Sequence, residues 1–140
     1  DQDLDSIDVT VTTLDDFLGS RDEKPIDFIK CDVEGHEADV FYGAKQTLIR
    51  DMPILLFECH RSEEEKGELF SFLSEIGYTG FFYHVEPKDH ASIFRRNIGK
   101  YIHFTKYAEY EYCRPSVQHR NYVFVKDNKE LLSKIVFCNK

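Results

Sequence analysis

Residues 26–37 read Ile26-Asp27-Phe28-Ile29-Lys30-Cys31-Asp32-Val33-Glu34-Gly35-His36-Glu37, and the rest of the predicted fold is built around them. The apolar residues of its first half do not keep to one parity, which predicts a strand over residues 26–32 that is buried on both faces. The polar residues follow where that strand ends, at the edge of an open sheet, where ligands commonly bind. The stretch is therefore either a strand that delivers functional side chains to a sheet edge or a strand-to-helix turn with a solvated acidic cap.

Composition limits the class of protein and its partners. The 140 residues suffice for one domain, residues 1–140, but hardly for two. Hydrophobic and charged fractions of 41% and 31% are those of an ordinary globular protein. The net charge is −8 and the basic residues form no cluster, which argues against nucleic acid or a membrane surface as a partner.

The cysteines and the hydropathy pattern indicate the compartment. The four cysteines are widely spaced, and Cys31 and Cys59 lie inside apolar runs, as small buried residues do. No stretch reaches the roughly 20 apolar residues of a membrane span, and no signal peptide is visible. A reducing, cytoplasmic location is therefore predicted.

Apolar strands alternate with helical patterns along the chain. A second apolar strand, residues 54–57, ends in Glu58-Cys59-His60, and a single helix beginning near His36 separates it from the first. This alternation predicts right-handed crossovers and parallel neighbours in a layered α/β sheet. The other predicted elements are an alternating strand at 7–11, a short helix capped by Thr13, a helix with a capping box at Ser62 and Glu65, strands at 81–85 and 122–125, and a closing helix at 131–136.

Residues 86–120 are predicted to form an irregular insert. This segment is rich in Tyr, His and Arg and has no clear period apart from a candidate strand at 101–104. If the protein binds a substrate, this segment is expected to determine its specificity. The last strand follows it and is expected to run antiparallel at an edge of the sheet.

Two carboxylates are predicted to meet at one edge of the sheet. If strands 26–32 and 54–58 are parallel neighbours, Asp32 and Glu58 emerge side by side. Such a group can bind a divalent cation through oxygens, orient ligand hydroxyls, or take a proton through a histidine. The other members of the group are Glu34, His36 and Glu37 after the first strand and His60 after the second.

Each of these residues also has a purely structural explanation. Glu34 and Glu37 can simply complement the N-terminus of the following helix. Lys30 lies two residues before Asp32, on the same side of the strand, where it can neutralise the carboxylate. His60 can be an ordinary solvated loop residue. The residues alone leave these alternatives open.

Four motifs in a fixed order point to a family. They are Thr13-Leu14-Asp15-Asp16-Phe17-Leu18, the run from Asp27 to Glu37, Gly43-Ala44, and Pro53-Ile54-Leu55-Leu56-Phe57-Glu58. The combination closely resembles the C-terminal half of FkbM-type methyltransferases over residues 9–60, and residues 121–125 loosely resemble that family's final strand.

This resemblance implies an S-adenosylmethionine-dependent O-methyltransferase with a Rossmann-like sheet, mostly parallel, acting on a hydroxyl of a sugar or natural-product-like small-molecule acceptor. It implies that Asp32 faces both the cofactor and the reacting centre. It also implies that Glu34 faces the reacting centre and that Glu58 closes the acceptor site. Together with the residues at the sheet edge, this gives Asp32, Glu34 and His36 as the predicted catalytic residues and Glu37, Glu58 and His60 as the predicted substrate-binding residues, and Asp32 with Glu58 is the candidate site for a divalent metal.

The chain departs from the family pattern in one respect. The glycine-rich loop that binds the cofactor, and the acid that holds its ribose, are absent from it. The N-terminal part of the sheet is therefore expected to be missing, and a fragment of this kind is expected to be inactive alone and to bind S-adenosylmethionine weakly or not at all.

Two other functions are consistent with the same residues. One is a catalytically inactive, methyltransferase-like interaction domain whose exposed sheet edge is covered by a partner or by self-association. The other is a different α/β enzyme that uses the acidic crevice for a metal-bound phosphorylated substrate.

Overall fold

A computed structural model describes residues 6–19, 24–59, 67–85, 99–104 and 121–126. The strands are β1 Phe28–Cys31, β2 Ile54–Glu58, β3 Tyr78–Val85, β4 Gly99–Phe104 and β5 Asn121–Lys126. The helices are α1 Leu14–Gly19, α2 Glu37–Tyr42, α3 Lys45–Asp51 and α4 Glu68–Glu75. The predicted capping box at Ser62 and Glu65 and the predicted helix at 131–136 lie outside the described residues. So does the predicted insert, apart from β4.

The described strands form one sheet in the order β1-β2-β5-β3-β4. The predicted α/β class is confirmed, but a mostly parallel sheet is wrong, because β1 and β2 are the one parallel pair among the described strands. The last strand is antiparallel as predicted, yet it lies between β2 and β3 and not at an edge. The connection through α4 leads from β2 to β3, which are not adjacent in the sheet. β5 lies between them and is antiparallel to both.

The core lies between one face of the sheet and the helices. Alternate residues of β2, Leu55 and Phe57, point to this face, as successive side chains of a strand point to opposite faces. The Phe57 ring lies 5.0 to 6.5 Å, between centroids, from four other aromatic rings. The core cluster contains Cys31, Phe41, Ala44, Leu48, Leu55, Phe57, Cys59, Leu69, Phe70, Leu73, Tyr78, Phe82, Tyr122 and Phe124.

Strand β1 is covered on one face and not on both. Cys31 is buried, whereas Phe28 is 53% exposed and Lys30 is exposed as well. The prediction of burial on both faces is therefore wrong for β1. β1 is the end strand of the described sheet, and its face with Phe28 and Lys30 is exposed.

The predicted single helix after residue 36 is divided into α2 and α3 at Gly43 and Ala44. The carbonyl of Gly43 accepts a hydrogen bond from the Asp15 amide at 3.1 Å. The Asp15 carboxylate then accepts hydrogen bonds from the Gln46 and Thr47 amides, each at 2.9 Å, and from the Thr47 hydroxyl at 2.7 Å. A residue of α1 thus caps the first turn of α3, a long-range contact that periodicity does not reveal.

Replacing Asp15 by alanine should lower the free energy of unfolding by about 1 kcal/mol, the usual cost of losing a cap. Burial alone raises the pKa of the Asp15 carboxyl, but the hydrogen bonds from Gln46 and Thr47 outweigh it and hold the pKa below its ordinary value of 3.8. The stabilisation is therefore complete above about pH 4 and is lost as the pH falls through the folded-state pKa. Urea unfolding at pH 7 and pH 3 measures this difference. Asp16→Ala is the control, and an equal loss in both variants would contradict the cap.

The N-terminal segment differs from its prediction. Residues 6–13 form no strand, and Ile7, Val9 and Val11 are exposed. The alternating pattern is present, but a strand needs a hydrogen-bonded neighbour, and no described strand pairs with this segment. The predicted cap on α1 is confirmed, since the Thr13 hydroxyl accepts a hydrogen bond from the Asp16 amide at 3.0 Å.

Two further sequence expectations can be compared with the structure. Cys31 and Cys59 are buried, as predicted, while Cys113 and Cys138 lie outside the described residues. Across the described ranges, no helix is both long enough and apolar enough to cross a membrane.

Candidate active site at the ends of two parallel strands

The parallel pairing of β1 and β2 brings Asp32 and Glu58 to one edge of the sheet. Cys31 pairs with Phe57 in the register, so Asp32 and Glu58 occupy the next positions along the two strands. Both lie on the side of the sheet away from the core, because their neighbours Cys31 and Phe57 point into it. The structure therefore brings these two predicted site residues together, and the parallel pairing of their strands is confirmed.

Lys30 lies on the same side and binds one of the two acids. Its ammonium donates to Asp32 Oδ2 at 2.8 Å, and the Asp32 side chain remains 48% exposed. The hydrogen bond to Asp32 raises the pKa of Lys30, and the negative charge of Glu58 adds to this effect. Lys30 therefore stays protonated and acts on both carboxylates, and the neutralising position expected for it is the one observed.

The loop between β1 and α2 has an unusual backbone. Glu34 has a φ of 54° and Gly35 a φ of 99°, so two successive residues adopt the left-handed region that L side chains rarely occupy. The Glu37 carboxylate reaches back to this loop and accepts hydrogen bonds from the Val33 and Gly35 amides, each at 3.0 Å. Glu37 is only 1% exposed, whereas Glu34 is exposed.

His36 is paired with a residue that the sequence did not single out. Its Nδ1 lies 3.0 Å from Asp39 Oδ2, and both side chains are exposed. If Nδ1 carries the proton donated to Asp39, Nε2 is the nitrogen that can accept a proton. The i,i+3 spacing of His36 and Asp39 at the start of α2 was the signal that could have revealed this pair.

The remaining predictions concern His60 and a metal. His60 lies outside the described residues. Among the residues that the structure describes, no group of three or more His, Cys, Asp or Glu side chains could hold a metal ion. Asp32 and Glu58 supply two carboxylates, so a cation there would need further ligands from substrate or water, and the metal site stays a prediction.

A cavity of about 440 Å³ lies between the segment before α1 and helix α2. Its lining includes Asp39, the partner of His36, but none of the six predicted site residues. The lining residues are Val11, Thr12, Thr13, Leu14, Asp16, Asp39, Val40 and Gly43.

Comparison with known proteins identifies the family. A family model described as Methyltransferase FkbM domain matches residues 1–79, which is more than half of the 140-residue chain. The matched part contains β1, α2, α3 and β2, and with them all six predicted site residues. Searches of curated proteins and of solved structures gave no match. The family predicted from the motifs is confirmed: the chain belongs to the FkbM methyltransferase domain family.

Proposed function

We propose that this protein is an S-adenosylmethionine-dependent O-methyltransferase that acts on a hydroxyl of a sugar or natural-product-like acceptor. Membership of the family supports methyl transfer as the reaction. One observation carries the assignment to this site: Asp32 and Glu58, with Lys30 beside them, follow adjacent parallel strands at their carboxyl ends. Open α/β sheets bind their ligands at that edge.

The side chains at this edge suit the cationic part of the cofactor. S-adenosylmethionine carries an ammonium, a sulfonium and ribose hydroxyls, and when bound it supplies an electrophilic methyl group. The carboxylates of Asp32 and Glu34 are exposed, carry negative charge and accept hydrogen bonds, so they complement the cationic groups and hydroxyls of the cofactor. Asp32 and Glu34 are therefore the residues that would hold the cofactor's methionine and sulfonium end.

The acceptor hydroxyl needs a base, and the contacts favour His36 over Asp32. A proton on Asp32 would weaken its ion pair with Lys30, whose ammonium already occupies Oδ2. His36, whose Nδ1 is directed at Asp39, would take the proton of the acceptor hydroxyl. The methyl group would pass from the sulfonium of the bound cofactor to the hydroxyl oxygen, and its bond to sulfur would break to leave a neutral thioether. Asp39 then stabilises the imidazolium. Glu58 and Asp32 orient the hydroxyl, and this positioning supplies much of the rate.

Transfer of an isotope-labelled methyl group from S-adenosylmethionine to a panel of saccharides and hydroxylated natural products tests the proposal. We expect a labelled methyl ether in at least one acceptor. His36→Gln should lower the rate roughly a hundredfold, the usual contribution of a general base. A labelled product at a carbon or nitrogen atom would contradict O-methylation, and an unchanged rate in His36→Gln would exclude that residue as the base. An unchanged rate after addition of a metal chelator would contradict the divalent cation predicted at Asp32 and Glu58.

The second candidate function, an inactive interaction domain, is favoured by the exposed end of the sheet. Phe28 and Ile54 are paired in the register, and both are exposed large apolar residues. We propose that a second copy of the chain pairs with the outer edge of β1 and covers them. Light scattering should show a dimer that Phe28→Asp dissociates, and a monomer at all concentrations would contradict self-association.

A further inference from the structure

We propose that Glu37 is a positioning residue for methyl transfer: its buried carboxylate fixes the loop that presents Asp32 and Glu34 to the reactants. The inference rests on the proposed function and deepens it. It also gives Glu37 a role different from the direct substrate binding predicted from the sequence, because a side chain that is 1% exposed has its carboxylate turned away from the open edge.

Both carboxylate oxygens of Glu37 accept hydrogen bonds from the loop. Oε1 accepts the hydrogen bond of the Val33 amide and Oε2 that of the Gly35 amide. A buried carboxylate without partners would be strongly unfavourable, whereas hydrogen bonds from amides to a charged acceptor are short and strong. Each oxygen therefore has a donor, and the two bonds hold the loop at two points.

Those two points lie on either side of Glu34. Glu34 and Gly35 both have positive φ values, and a residue other than glycine keeps such a conformation only when its surroundings impose it. Glu37 supplies the constraint, because one carboxylate joins the amide before Glu34 to the amide after it. The backbone at Glu34 is thereby fixed, and with it the direction in which its side chain leaves the chain.

The same contact fixes the chain that follows Asp32. Val33 is the next residue, and its amide belongs to the peptide group that begins at Asp32. Glu37 is the first residue of α2, so its side chain joins the end of β1 to the start of the helix. Loss of these hydrogen bonds should displace the Asp32 and Glu34 carboxylates while leaving both in place in the sequence. A displacement of about 1 Å can lower the rate a hundredfold.

The experiment compares Glu37→Gln with Glu68→Gln, the same change at the first residue of α4, where the glutamate is exposed. A glutamine can accept only one of the two amide bonds, since its NH₂ group is itself a donor. Amide hydrogen exchange, followed by NMR, should accelerate about tenfold in Glu37→Gln at whichever of the Val33 and Gly35 amides loses its acceptor, the equivalent of one lost hydrogen bond. The control should leave both amides unchanged.

The kinetics of methyl transfer then distinguish a positioning role of Glu37 from direct substrate binding. We expect Glu37→Gln to lower kcat by roughly ten- to a hundredfold with a nearly unchanged KM for the acceptor. If that variant does not fold, Glu37→Asp keeps the charge but shortens the reach, and it should show the same split.

Two results would overturn the proposal. Unchanged amide exchange would show that the carboxylate does not hold the loop. A raised KM with unchanged kcat would show that Glu37 binds the substrate directly. If the wild-type protein transfers no methyl group to any acceptor, the proposed function fails, and hydrogen exchange still decides whether Glu37 anchors the loop.

Discussion

Asp32→Asn is expected to lower the rate of methyl transfer by at least roughly a hundredfold while the protein stays folded. The substitution keeps the shape of the side chain and removes its charge. The edge of the sheet then lacks a negative group at the place proposed to bind the cationic end of the cofactor and the acceptor hydroxyl. Stability should hardly change, because Asp32 is 48% exposed and its ion pair with Lys30 is of the kind that contributes little to folding.

The measurement is the initial rate of labelled methyl transfer, with circular dichroism as the test of folding. Asp27→Asn is the matched control, since Asp27 is exposed just before β1, at the end of the strand opposite to Asp32. We expect the control to keep the wild-type rate. An active Asp32→Asn variant would remove Asp32 from the mechanism. Equal losses in the two variants would point to a general effect of charge.

Phe57→Ala should have the largest effect on stability, with a loss of about 3 to 5 kcal/mol in the free energy of unfolding. Phe57 is buried at the centre of the aromatic core, where its ring meets those of Phe41, Phe70, Tyr122 and Phe124. The change removes the ring and leaves a cavity. Since domains are stable by only about 5 to 15 kcal/mol, most of the stability should be lost.

Phe28→Ala is the control, because it is the same substitution on the neighbouring strand. Phe28 is 53% exposed, and the change should cost well under 1 kcal/mol in the monomer. Urea unfolding monitored by circular dichroism gives both values, and the linear dependence on urea allows their comparison. Measured at a concentration low enough for the monomer, a similar loss in both variants would contradict the central position of Phe57 in the core.

The strands that carry the site could be predicted from the sequence because their signal is local. Residues 54–57 are uniformly apolar, and a helical pattern separates them from the first strand, which is sufficient to predict parallel pairing. Once that pairing is known, the register of the two strands is enough to place Asp32 beside Glu58. The candidate site is to this extent a consequence of the order of residues along the chain.

The contacts that shape the site could not be predicted in the same way. Glu37 is buried because the loop before it folds back over its carboxylate. In the sequence alone it cannot be told from an exposed acid in the first turn of a helix. Asp15 divides a helix that begins more than 20 residues later. In both cases the deciding partner is a backbone amide, which every residue other than proline possesses and which therefore leaves no signal in the sequence.

The α/β class, the family, and the meeting of Asp32 with Glu58 at one sheet edge follow from the order of residues alone, because periodicity and motif order are local properties. Three features depend on the folded chain: β5 enters the sheet between β2 and β3, β1 keeps one exposed face, and Glu37 turns inward. Strand order, coverage and burial depend on which segments become neighbours in space. That choice is made by packing and hydrogen bonding between residues far apart in the chain.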